Sequence, residues 1–331
     1  MSRPCIVILL ASFVGLPLHA QVSNIQPLSQ LTPGQMGASQ GNDIWGWTDS
    51  QTGREYALIG LNDRTGFVDV TDPTAPQFLG HLPSQTGSNL WRDVKVYQDH
   101  AYVVSDFNGP HGVQIFDLTR LRGVMSPQTF TADNVYGATT IRSAHNIVIN
   151  EDSGYAYVVG SNVSFGGLHI LDISDPKSPV FAGEFTSDGY THDAQVVNYD
   201  GPDANFNGSE IAFALNEDTL TIVDVSNKAN PQQVSRTSYP GASYTHQGWL
   251  SEDGQYFYFN DEGDAAWTHI FDVSDLSSPQ YIGNRPSVTG SQDHNLYVKG
   301  NYIYEANYGA GLRVYEQTDP ANNVLTEVAF Y

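Results

Sequence analysis

The chain has 331 residues, a formal charge of −22, and 31 glycines and 17 prolines. A surface this acidic repels phosphate backbones and anionic lipid, which argues against nucleic acid as a partner. The single cysteine, Cys5, sits near the N-terminus, so the rest of the chain offers neither a disulfide nor a thiolate metal site.

Residues 1–20 read as a secretory signal peptide. Arg3 gives a positive start, Ile6 to Leu18 an apolar stretch, and Leu18-His19-Ala20 a small-residue end before Gln21. This predicts export, to the cell surface or beyond it. Residues 21–41 form an N-terminal extension. No later apolar run approaches membrane length, so no transmembrane segment is expected after the signal.

From residue 42 onward, helical periodicity is nearly absent. Short runs rich in Val, Ile, Tyr and Phe alternate with Gly, Asn, Asp and Pro, as in Tyr155-Ala156-Tyr157-Val158-Val159 and Tyr256-Phe257-Tyr258-Phe259. Six polar openers recur about 50 residues apart, a period that marks an array of similar units. They are Asn42-Asp43, Arg92-Asp93, His145-Asn146, His192-Asp193, His246-Gln247 and His294-Asn295. Each begins a first strand. A turn and a second strand follow, then a third strand ending in an acid: Asp69, Asp117, Asp172, Asp224, Asp272 and, more loosely, Glu316. A fourth strand closes the unit. Four short strands at this period predict an all-β fold, a β-propeller with six four-stranded repeats over residues 42–331.

Several of these motifs resemble the choice-of-anchor B proteins, exported bacterial propellers of LVIVD-type repeats. The resemblance rests on Ala144-His145-Asn146-Ile147, Tyr190-Thr191-His192-Asp193, Tyr244-Thr245-His246-Gln247-Gly248-Trp249 and Asp293-His294-Asn295-Leu296-Tyr297. Leu220-Thr221-Ile222-Val223-Asp224 is similar to the repeat signature itself. The resemblance implies export, attachment through differing C-terminal signals, and no established reaction. Such proteins continue into an anchor where this chain stops at Tyr331, and a complete relative has room for seven repeats.

In an antiparallel sheet, the start of strand one and the end of strand two share one end. The openers and the polar residues after each strand two should therefore gather on one face of the disc. With strand one innermost, His145, His192, His246 and His294 line the mouth of the central channel. Four imidazoles with nearby carboxylates suit a divalent transition metal. The bland reading is that each histidine hydrogen-bonds the neighbouring blade, a role that Asn42 and Arg92 tolerate equally. Asp261, Glu262 and Asp264 form the densest acidic loop, a weaker metal candidate suited to Ca²⁺. Asp193 is a candidate base beside His192. The five tryptophans can pack blades or stack on sugars.

Two functions follow. The first is a binding or scaffold module that recognises a protein or glycan through one face of the disc. The alternative is a metal-dependent enzyme with a histidine-lined site at the channel mouth. No cofactor beyond a divalent metal is implied.

Overall fold

The computed structural model describes residues 23–263, 267–286 and 289–331. The signal segment and Asp264 lie outside the described residues.

Six antiparallel sheets follow one another along the chain, as expected. We number them as blades 1 to 6. Their first strands are Gly41–Thr48, Arg92–Tyr97, Ala144–Asn150, Asp193–Asn198, Thr245–Leu250 and Asn295–Lys299. Consecutive first strands neighbour each other around the central channel, which makes strand one the innermost. Blade 1 gains a fifth strand, because Gln128–Thr129 of the next unit pairs parallel to its strand four.

The second strands carry the packing. Their β-branched and aromatic residues alternate between two neighbouring blades rather than between core and solvent. In blade 4, Ala212 and Ala214 face blade 3, while Ile211, Phe213 and Leu215 face blade 5. Phe213 stacks on Phe257 of blade 5 with centroids 5.0 Å apart. Truncating such a ring costs about 3–5 kcal/mol. The acids that end the third strands cap turns. Asp69, Asp172, Asp224 and Asp272 each accept a hydrogen bond from the backbone N–H two residues on, at 2.9–3.0 Å.

Lacing between inner strands falls mainly to the residue after each opener. Asp43 accepts from Val94 N at 3.0 Å, and Asp93 from Ile147 N at 2.7 Å. Asn146 donates to His192 O at 3.1 Å, and Gln247 both donates to Leu296 O and accepts from Leu296 N. The openers share in this lacing: His192 Nδ1 lies 3.1 Å from the His246 carbonyl of the next blade, and Asn42 donates to Arg92 O.

Shared apolar clusters fill the five interfaces from blade 1 to blade 6. Among the described residues, none joins blade 6 to blade 1, and Ile44 there is 60% exposed where its counterparts Val94, Ile147 and Leu296 are buried. The N-terminal segment bridges this junction. Ser23 and Phe330 exchange two backbone hydrogen bonds of 3.0 Å, and Leu31, Met36 and Ala38 cover Leu61 and Val68 of blade 1.

Candidate functional site

The two sets of polar residues meet at one end of the channel. The rings of His145, His192, His246 and His294 form a continuous arc, with successive centroids 4.1, 4.3 and 4.2 Å apart. Tyr308 extends the arc at 4.4 Å from His294. Both post-strand acids Asp106 and Glu262 reach it. His145 Nδ1 lies 2.9 Å from Asp106 Oδ2, and the hydroxyl of Ser143 also donates to Asp106. Glu262 stands between two rings, 3.5 Å from His246 Nε2 and 3.5 Å from His294 Nε2. The Tyr308 hydroxyl donates to it at 2.6 Å. This crowding needs Gly160: a Cβ there would stand 2.7 Å from His145 Cβ and 2.8 Å from the Tyr190 hydroxyl.

The electrostatics leave nitrogen lone pairs available. Burial, reinforced by neighbouring His145, pushes His192 down to about 3, so its ring is neutral near pH 7. His246 is pushed well below its ordinary range by burial and by three neighbouring histidines. His192 Nδ1 lies 3.1 Å from the His246 carbonyl, which can only accept. The neutral ring therefore carries its proton on Nδ1 and a lone pair on Nε2. Asp106 fixes the same tautomer in His145 when that ring is neutral. Burial raises the Glu262 pKa, yet hydrogen bonds from His294 and Tyr308 override it and bring the carboxyl down to about 2. One ligand atom each from His192, His246 and Glu262 lies within 4.8 Å of the other two.

The remaining candidates part company here. Arg92, the opener of blade 2, turns into the blade 1–2 interface, where Nε donates to Leu61 O and Nη2 to Ser84 Oγ. Asn42 donates to Arg92 O. Asp261 is buried away from its neighbour Glu262. Its carboxylate accepts from the Tyr239 hydroxyl and from Ser243, Tyr244 and Gly263 N–H groups, the pattern of a loop anchor. Asp193 lines the channel beyond the histidines rather than the mouth.

In that second region Asp193 meets Lys95 and Tyr297, which no sequence motif marks. Trp45, Lys95, Asp193, Gln195, Trp249 and Tyr297 enclose part of a cavity of about 470 Å³. Lys95 Nζ lies 2.5 Å from Asp93 and 4.7 Å from the Trp45 ring centroid. Burial pushes Asp43 up to about 8 and Asp193 up to about 7. Burial alone would lower Lys95, but Asp93 and Asp43 raise it. Position along strand one separates the two regions: the four histidine openers meet at the mouth, and the lysine sits three positions beyond its own opener.

Exposed aromatics surround the mouth. Phe107 is 76% and Phe165 85% exposed, and Trp91 packs edge-on against Phe107 at 5.9 Å. Phe107, Glu217 and Tyr308 each follow an Asp or Asn at the end of strand two and hold φ between 40° and 56°. Non-glycine residues seldom adopt this left-handed backbone, and it clusters at functional surfaces.

Fold and repeat together define the class: the chain is a repeat β-propeller. The LVIVD repeat matches at residues 141–187 and 212–238, in blades 3 and 4. No curated protein matches the sequence. A Bacteroides fragilis protein provisionally described as a 6-phosphogluconolactonase superposes with a TM-score of 0.62 at 15% identity, over 86% of this chain and 82% of that one. The Pseudomonas aeruginosa periplasmic gluconolactonase gives 0.60 at 13% identity, over 85% and 83%. A hypothetical selenium-binding protein from Sulfolobus tokodaii gives 0.55 at 11%, over 83% and 76%. At these identities the likeness is one of fold. No helix among the described residues is long and apolar enough to cross a membrane.

Proposed function

We propose that the channel mouth holds a divalent transition metal through His192, His246 and Glu262, with His294 beside them, and presents it to a small oxygen-bearing ligand. The carrying observation is the convergence of two neutral imidazoles and an ionised carboxylate at one point. Ligands about 2.1 Å from a tetrahedral ion stand about 3.4 Å apart, close to the His246–Glu262 spacing of 3.5 Å. Three protein ligands leave a coordination position open, which is how such ions polarise a carbonyl or activate water. His145 and Asp106 flank the site as a carboxylate–histidine pair. This favours the enzyme reading over the scaffold reading. Sugar lactones are the first substrates to try, since two fold neighbours are named for them.

A second reading has its own observation. The exposed Trp91, Phe107 and Phe165 rings, interleaved with acceptor side chains, suit a glycan that stacks its apolar face beside the metal. Export and choice-of-anchor B membership belong to the same proposal. They rest on the N-terminal segment and the repeat motifs, and an N-terminus at Gln21 in the secreted protein tests the first.

Elemental analysis of protein purified without chelator tests the metal. One equivalent is expected, lost in His192→Ala and His246→Ala. Absence of bound metal after incubation with Zn²⁺, or unchanged stoichiometry in both variants, overturns the assignment.

A further inference from the structure

The interface between blades 5 and 6 departs from the other repeats in a concerted way. In blades 2, 3 and 4, the strand-two residue paired with the residue after the opener is Val104, Val159 and Leu215. In blade 5 it is Asn260. Across to strand three, Leu215 pairs with Leu220, whereas Asn260 pairs with Thr268. The residue facing them from the next blade is Val158, Ala214 and Phe259 at three interfaces, and Glu305 at this one. The residue before the opener, Thr191 in blade 4 and Thr245 in blade 5, is Asp293 in blade 6. Four positions that elsewhere hold apolar or threonine side chains have become oxygen donors together.

All of them are sealed from solvent. Asp293, Glu305 and Asn260 are 0% exposed, and Thr268 and Asn307 1%. The Thr268 hydroxyl lies 2.6 Å from Glu305 Oε1 and 3.0 Å from Asp293 Oδ2. Asn307 Nδ2 lies 2.9 Å from Asp293 Oδ1 and 3.4 Å from Glu305 Oε2. Asn260 Nδ2 lies 2.9 Å from Glu305 Oε1 and 2.6 Å from the His294 carbonyl. The amide oxygens of Asn260 and Asn307 are buried and accept no hydrogen bond. An unsatisfied buried acceptor costs about 1–3 kcal/mol, so two in one cluster need a reason.

We propose that this cluster is a second metal site, distinct from the mouth, which takes a hard divalent cation of the Ca²⁺ type. Two carboxylates match its charge, and an all-oxygen donor set excludes the softer ions that imidazole favours. A half-turn of each asparagine amide exchanges its nitrogen for its oxygen and presents that oxygen to the ion. Ca²⁺ tolerates the irregular geometry that an inter-blade crevice provides. The ion fixes blade 6 to blade 5, and through Asp293, the residue before His294, it holds the backbone that carries His294.

Terbium luminescence on the full chain, stripped with EGTA, reads this site through Tyr315, a buried ring that feels the charges of Glu305 and Asp293. One equivalent of Tb³⁺ should bind and be displaced by Ca²⁺. Glu305→Gln should weaken binding about tenfold or more. His246→Ala should leave it intact, which separates this site from the mouth. Loss of the signal in His246→Ala, or its persistence unchanged in Glu305→Gln, overturns the proposal. So does a wild-type melting temperature that is identical in Ca²⁺ and in EGTA, the result expected if the carboxyls merely share a proton. If Glu305→Gln does not fold, a variant rebuilt on the blade 3–4 pattern of Val159, Leu168, Ala214 and Thr191, namely Asn260→Val, Thr268→Leu, Glu305→Ala and Asp293→Thr, should fold and melt independently of Ca²⁺. Retained Ca²⁺ stabilisation in that variant refutes the site.

Discussion

The two ends of the channel are built from the same six strands, yet they hold their protons in opposite ways. At the mouth, burial and mutual repulsion keep His192 and His246 neutral while Glu262 stays ionised. A few residues deeper, burial keeps Asp43 and Asp193 protonated to about pH 8 and 7, around a lysine that stays charged. The mouth presents unprotonated imidazole nitrogens beside an ionised carboxylate. The deeper chamber satisfies itself, with Lys95 and Asp93 paired at 2.5 Å. Desolvation pushes any ionisable group toward its neutral form. Neutral imidazole is a ligand and neutral carboxyl is not, so one physical effect yields a donor set suited to the proposed metal at one end and a structural cluster at the other.

The sharpest break in this comparison is Lys95→Met. It leaves Asp93 buried without its cation and should lower stability by about 3 kcal/mol or more, measured by denaturant unfolding. Metal content at the mouth should not change. His246→Ala should do the reverse, cutting metal affinity at least about 100-fold by calorimetry while costing less stability than Lys95→Met. Glu262→Gln keeps the shape of the mouth but not its charge and should weaken the metal about tenfold.

The two ends also predict stability slopes of opposite sign with pH. His192 has a folded pKa of about 3 against an ordinary 6.5, so the unfolded chain binds its proton first. Its contribution is complete above pH 6.5 and is lost as pH falls toward 3. Asp43 and Asp193 have folded values of about 8 and 7 against 3.8, so the folded chain holds more protons there. Their contribution is complete below pH 3.8 and is lost as pH rises toward 8. In metal-free protein the melting temperature should fall between pH 6.5 and 8, and Asp193→Asn should flatten that limb. The smallest effect expected is Asp43→Asn at pH 7, within about 0.5 kcal/mol of wild type, because an amide replaces a carboxyl already held neutral.

Much of the mouth was legible in the sequence because antiparallel geometry alone sends the openers and the post-strand-two residues to one end. His145, His192, His246 and His294 met there, and Glu262 came from the same rule. What that rule lacks is side-chain direction. Arg92 occupies the same repeat position as the histidines but turns into the blade 1–2 interface, and Asp261 is drawn into capping a loop beside Glu262. Lys95 and Asp43 were invisible as a pair because their meeting depends on how the first strands of blades 1 and 2 pack side by side. Glu305 and Asn260 did leave a trace: each stands where the aligned strands of other repeats are apolar. Alignment of the repeats by strand register, rather than by opener alone, exposes them.

In the proposed site His192, His246 and Glu262 share one metal ion. Anomalous diffraction from crystals grown with Zn²⁺ tests it most directly. A single strong peak is expected at the mouth, about 2.0–2.2 Å from one nitrogen of each histidine and one oxygen of Glu262. A mouth without a peak, or a peak bound by other side chains, would contradict it.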